Sequence, residues 1–501
     1  MTDTKSQATH PSMMRPPPTT TVASLLLAIV ATGCPGASDD GGRADSATPT
    51  TTSSATSTAS EDSADGTADT VDATTTSPPT TATSDTGDGT DTGGGSTDTD
   101  GVPETCGDMM VQPPEACDDG NAIDADGCNS DCTVSGSILW DHTQASGLGP
   151  DRAFGVAVDA ADAAYVVGEF FGVDNDAWIR RYDPDGGLGF TTVVDSGGSD
   201  GARGVAVYPG GIYVTGYQGN DLFLRSYDES GTAGLALTYN GPASGGDVGH
   251  AVASDPGGNA IVAGHHTVNF FDGVSNIPHN DVFVRKYSPA GDVLWTHTYA
   301  GPISTGQDQA RGVATDSLGN VIVVGWESVS GAGRNVWVRK LDADGNALWT
   351  VGYAGPDAMD DFANAVAVGP DDSVVVVGVE SQMVTPTIVW MRKYDPDGNE
   401  LWTQTWPGDT AEGAQALGAA VDEAGDILVT GVVTDAAIGT AFVRKHDPNG
   451  VLRWSTLVPG LGGGPSVGRG ATVGPDQRPW AAGERDMGID DIDVWVARLA
   501  Q

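Results

Sequence analysis

Ala310-Arg-Gly-Val-Ala-Thr-Asp316, Asn320-Val-Ile-Val-Val-Gly325, Val336-Trp-Val-Arg-Lys-Leu-Asp342 and Asp344-Gly-Asn-Ala-Leu-Trp-Thr350 follow one another within one stretch of the chain. Each is a short apolar run closed by turn residues, and none carries the 3.6-residue period of a helix. Much the same quartet returns seven times between Ile138 and the C-terminus. A period of about 50 residues carrying four strands predicts one blade of a β-propeller. The fold class expected is therefore all-β, a seven-bladed propeller over residues 137–501.

The copies agree position by position. The second strand of every unit ends in glycine: Gly168, Gly216, Gly264, Gly325, Gly378, Gly431 and Gly483. The third carries an aromatic residue: Trp178, Phe223, Phe283, Trp337, Trp390, Phe442 and Trp495. Such a glycine serves a tight bend or the close approach of the next blade's backbone. The phase of the repeat is informative too. The propeller region opens with Ile138-Leu-Trp-Asp-His142, a strand of the type that ends other units, and closes on Val494-Trp-Val-Ala-Arg498, a third strand without a successor. Residues 138–143 are thus expected to complete the last blade, which removes an open sheet edge.

These residues carry a resemblance. G-V-A-x-D-x-x-G-N-x-x-V-x-G, followed by an aromatic residue and V-R-K-Y-D-P-D-G, resembles the propeller repeats of secreted bacterial proteins, relatives of the NHL repeat. The D-G-N-x-L-W piece is similar to quinoprotein-type propeller repeats. The resemblance implies the fold; such repeats serve binding, scaffolding and catalysis alike.

An apolar run from Val22 to Thr32 follows Arg15 and has the length of a signal-peptide core, too short for a permanent membrane span. It ends in Ala31-Thr-Gly-Cys34, which resembles a bacterial lipobox with alanine at the usual leucine place. This implies residues 1–33 as a leader, with the start at Met1, Met13 or Met14, and a lipidated Cys34 anchored to an outer membrane or cell surface. An unlipidated secreted protein is the alternative. Residues 34–104 are almost wholly Thr, Ser, Ala, Gly and Asp, so they bury too little surface to order themselves and read as a disordered linker. As a flexible coil its ends would lie roughly 45 to 50 Å apart.

Of five cysteines, four fall between Cys106 and Cys132, an even cluster that reads as two disulfides among Cys106, Cys117, Cys128 and Cys132 with three possible pairings. The segment 105–134 resembles the myxobacterial disulfide repeat of bacterial surface proteins. Its Asp118, Asp119, Asn121, Asp124 and Asp126 offer the oxygen ligands calcium takes, without the closing bidentate glutamate; Asx-turns use the same residues. The formal net charge of −45, spread over linker and propeller together, argues against nucleic acid and anionic lipid as partners.

Two sets of residues are candidates for ligand contact. Asp151, Asp200, Asp247, Asp308 and Asp361 stand four residues before the small residue of each first strand, where they would form an acidic ring at the channel rim or brace their own loops. Arg203, His250, Arg311 and Arg469 stand immediately before that small residue, with Phe154, Asn364 and Leu417 there in the other units. Irregularity on a repeated frame is where specificity can be written. His250, His265, His266 and His279, with Asp272 and Asp281, are ligand types for a transition metal at no recognised spacing. Gly464-Pro-Ser-Val-Gly468 and Gly197-Gly-Ser-Asp-Gly201 spell G-x-S-x-G in loops, away from the strand-to-helix turn a nucleophile needs. No cofactor is expected, with calcium in the disulfide module as the alternative to its Asx-turns. The favoured function is a surface-displayed, non-enzymatic binding module for an extracellular protein or glycan. The rival is a secreted propeller enzyme, a lyase, hydrolase or quinone-dependent dehydrogenase. Unequal polar groups converging in the channel around a perturbed ionisable residue would favour the enzyme; a symmetric loop-bracing ring would favour the binder.

Overall fold

The computed structural model describes residues 106–144, 149–243, 245–384, 387–408, 412–488 and 492–501. The leader, Cys34 and the linker lie outside the described residues. The only helical element among those described is a single 3-10 turn, Leu461–Gly463.

Among the described residues, twenty-eight strands form seven four-stranded antiparallel sheets. Six are sequential, over residues 152–194, 200–239, 248–299, 309–353, 362–406 and 414–458. In the seventh, Ser466–Val473, Pro479–Asp486 and Ile492–Leu499 are joined on the outside by Ile138–Gln144. Its register runs from Ile138 opposite Leu499 to Gln144 opposite Val494, the closure the repeat phase predicts. Trp140 completes the imitation. Its indole donates to the Pro184 carbonyl at 2.9 Å, as Trp295, Trp349 and Trp402 donate to Ala343, Pro396 and Pro448.

The core is divided among blade interfaces because a blade is apolar on both faces. In the fourth blade Val321, Val323, Trp337 and Leu341 pack on the third. Ile322, Val324, Val336 and Val338, one residue out of phase, pack on the fifth. Seven such clusters, one per interface, close the ring. The repeated aromatic lies opposite the repeated glycine in every blade, for example Gly325 opposite Trp337. The glycine's reason differs from the expectation. A Cβ on Gly325 would fall 1.9 Å from the Gln309 carbonyl oxygen, so the close approach is to the innermost strand of its own blade. The Asp-Pro-Asp-Gly segments are hairpin turns with positive φ at the glycine, +87° at Gly186 and +86° at Gly398.

The N-terminal module holds the bridges Cys106–Cys132 and Cys117–Cys128, one nested in the other. It is docked on the propeller. Asp131 pairs with Arg478 at 2.6 Å, Thr456 donates to the Gly136 carbonyl at 2.6 Å, and Gly136 lies against the Trp454 ring.

Candidate functional site

On the innermost strand of every blade the ladder slips by one residue at the same place: between Ala153 and Gly155, Ala202 and Gly204, Gly249 and Ala251, Ala310 and Gly312, Ala363 and Ala365, Ala416 and Gly418, and Gly468 and Gly470. A β-bulge leaves its extra residue unpaired and re-aims that side chain. The extra residues are Phe154, Arg203, His250, Arg311, Asn364, Leu417 and Arg469, the irregular set of the sequence. With Tyr217 and Val248 they line one cavity of about 310 Å³ at the ring axis. The residue after each bulge is small because neighbouring inner strands touch there. A Cβ on Gly418 would lie 2.6 Å from the Arg469 carbonyl oxygen.

Charge is unevenly spread around the channel. Arg469 pairs with Glu484 at 2.8 Å, Arg152 with Glu484 at 3.0 Å and Glu169 at 3.5 Å, and Arg203 with Glu169 at 3.2 Å. The Tyr217 hydroxyl donates to Glu169 at 3.0 Å, and the Arg203 guanidinium lies 3.8 Å from the centre of the Phe154 ring. Arg311 has neither an ion pair nor a hydrogen bond among the described residues, and it alone of the ring is exposed, to the solvent filling the channel. Protein walls on all sides, then the charges of Arg203 and Arg334, lower its pKa below the usual guanidinium value.

Beside it, His250 Nε2 and His265 Nδ1 lie 3.0 Å apart, one ring donating an N–H to the other. Burial first, then the positive charge of Arg311, takes His250 well below the ordinary imidazole value and His265 to about 4. Both imidazoles are neutral at pH 7 and present polar edges without charge.

The aspartates are placed elsewhere. Asp151, Asp200, Asp247, Asp308 and Asp361 are all fully buried, outside the channel lining. Asp308 accepts from the Gly301 and Ser328 backbone N–H groups at 2.6 and 2.7 Å, and Asp361 likewise takes those of Gly355 and Ser381. Asp247 takes Gly241 and Thr267, Asp200 takes Ser196 and Gly219, and Asp151 takes Phe171. Each braces its own loop against its own second strand, so the geometry is that of loop bracing and not of an acidic rim.

The remaining candidates do not converge. His266 meets the Tyr239 hydroxyl at 3.0 Å between blades, His279 faces Asp281 at 3.5 Å, and Asp272 caps its own turn. In the module Asp118 accepts from five backbone N–H groups, Asp119 from Cys128, and Asp124 from Ser130. Asn121 accepts from Ile123 and donates to Asp126. These are turn contacts and gather no calcium cage. The one acidic triad with metal-ligand spacing among the described residues is Asp176, Asp195 and Asp200, near the first and second blades; Asp200 is already held by Ser196 and Gly219. Ser466, the serine of one G-x-S-x-G, is buried, donating to the Val458 carbonyl and accepting from Ala441 N–H.

Sequence reading missed Arg152, Glu169, Tyr217 and Glu484. Glu169, Tyr217, His265 and Glu484 each follow the strand-ending glycine, so a second irregular position, one residue past the glycine, was there to be compared.

No family model matches the chain, and no curated protein matches it. Among solved structures, it is similar to a protein of unknown function from Dyadobacter fermentans, at 10% identity and a TM-score of 0.44, over 72% of this chain and 98% of that one. It is also similar to a gluconolactonase of Xanthomonas campestris, at 11% identity and a TM-score of 0.34, over 72% and 97%.

Proposed function

We propose that this chain is a non-enzymatic binding module that receives its ligand at the mouth of the propeller channel and is held at the bacterial surface through a lipid on Cys34. The observation that carries the reading is the register of seven bulges, which turns the seven side chains of the one irregular position into one cavity while the regular positions hold the blades. The display half rests on the lipobox-like Ala31-Thr-Gly-Cys34 and the linker behind it.

The perturbed His250–His265 pair is the feature that favours an enzyme. Three facts weigh against it. An imidazole of pKa about 4 is a weak base at neutral pH. The two channel carboxylates, Glu169 and Glu484, are tied to arginines. Ser466 is spent on backbone groups.

A screen of small molecules and glycans on the full chain provides the test. Arg203→Ala and Arg469→Ala are expected to weaken a hit at least tenfold, whereas Leu348→Ala and Leu401→Ala on exposed outer strands leave it unchanged. The opposite pattern would move the site to the outer edge, and chemical consumption of the hit would make the protein an enzyme.

A further inference from the structure

The channel's charge inventory narrows the ligand, on the reading that the channel mouth is the site. Four guanidiniums (Arg152, Arg203, Arg311, Arg469) face two carboxylates (Glu169, Glu484), leaving two positive charges uncompensated within a chain of formal net charge −45. The excess is local. Arg469, Glu484, Arg152, Glu169 and Arg203 form one alternating chain of ion pairs on the side of the seventh, first and second blades. Arg311 stands outside it, on the fourth blade, with no acceptor. Its donors face the open channel, so a ligand acceptor can take them without breaking an existing ion pair.

We infer that Arg311 receives the carboxylate of a small organic acid of about monosaccharide size. The planar fork of a guanidinium matches the two oxygens of a carboxylate, and one such group brings a single negative charge. The neutral His250–His265 pair adds a hydrogen-bonding edge beside it, and Phe154, Leu417 and Val248 supply apolar wall for a carbon skeleton. The volume of about 310 Å³ lies at the small end of ligand cavities, which run from about 300 to 1,000 Å³. A chain end or a single acidic sugar unit fits such a space; a folded protein surface does not enter it. The acidic exterior repels polyanions, while this patch attracts one charge at close range.

Titration of the full chain with D-glucuronate, D-gluconate, D-glucose and D-glucose 6-phosphate, followed by calorimetry and by the NMR signals of arginine side-chain Nε–H groups, provides the test. Glucuronate or gluconate is expected to bind and to shift the Arg311 signal, with glucose at least tenfold weaker. Arg311→Gln should reduce carboxylate affinity by tenfold or more, and Arg311→Lys, which keeps charge but not the fork, by less. Because Arg311 is open to the channel, the thermal midpoints of both variants should match the parent; should the glutamine variant unfold, the lysine variant and the NMR shift decide. Glucose binding as well as the acids, or the phosphate ester binding better, would overturn the carboxylate while leaving the channel site standing. No binding by either acid overturns the inference. Acid binding that ignores both Arg311→Gln and Arg203→Ala would bring down the channel reading as well.

Discussion

His266 shows how a residue's place on the frame decides its chemistry. It follows His265 directly in sequence, yet the pleat turns the two to opposite faces, His265 to the channel and His266 onto Tyr239 and Phe283 between blades. Both imidazoles are held near pKa 4 by burial, with Arg311 the next cause for His265 and Arg285 for His266. In the unfolded chain they titrate near 6.5. Between those values the unfolded state binds the protons and the folded state does not, so stability is full above pH 6.5 and is lost as pH falls toward 4, by on the order of 3 kcal/mol per histidine. Asp247, Asp308 and Asp361, whose pKa values burial raises, act in the opposite sense, gaining stability as pH falls through their folded values. Denaturation at a series of pH values is expected to give a free energy that declines from pH 6.5 to 4, with a shallower decline in His266→Gln; an unaltered slope in that variant would remove His266 from the account. The same alternation separates what could be read beforehand from what could not. That Arg203, His250, Arg311 and Arg469 share one position was visible in the repeat. That Glu169 and Glu484 neutralise two of these arginines and leave Arg311 alone depends on distances across blades, which no periodicity encodes.

A blade is a module whose four strands divide their work. The innermost strand carries the bulge, the second carries the glycine that lets the bulged backbone come close, the third carries the aromatic, and in four of the seven blades the outermost clamps the next blade's turn through its tryptophan. The period-two pattern made the strands legible, together with their number and the sharing of the last blade between the termini. The bulges were not legible, because an inserted residue in a first strand looks like any other apolar or polar residue until its partner's register is known. The five aspartates could be read either as a channel rim or as loop braces, and their regular spacing leans to the second: it says a residue is needed in every blade, and loop bracing is such a need. Closure can be tested at this scale. Removal of residues 138–143 takes away the strand that pairs from Ile138 to Gln144 with Val494–Leu499, together with the Trp140 clamp. The shortened protein is expected to melt at least several degrees lower and to lose solubility through the exposed edge of Ile492–Leu499; a midpoint equal to the parent's would mean that the ring closes without it.

At the scale of the whole molecule, the disulfide module is seated on the sixth and seventh blades through Asp131–Arg478 and Gly136 on Trp454. With a lipid on Cys34, replacement Cys34→Ala is expected to move the protein from the membrane fraction to the soluble fraction, measured by fractionation of expressing cells; unchanged membrane association would end the lipoprotein reading. The seven-bulge ring has a further consequence, for descent. Each bulged side chain points into a shared space and takes no part in the seven interfacial clusters, so a blade copied by duplication inherits its packing complete and its channel residue as a blank letter. The letters, now Phe, Arg, His, Arg, Asn, Leu and Arg, can be rewritten without disturbing the apolar clusters between blades, the arginines paired with Glu169 and Glu484 changing together with their partners. Lineages built on this frame would then diverge fastest at one residue in about fifty, and a new specificity would be within reach of a few codon changes.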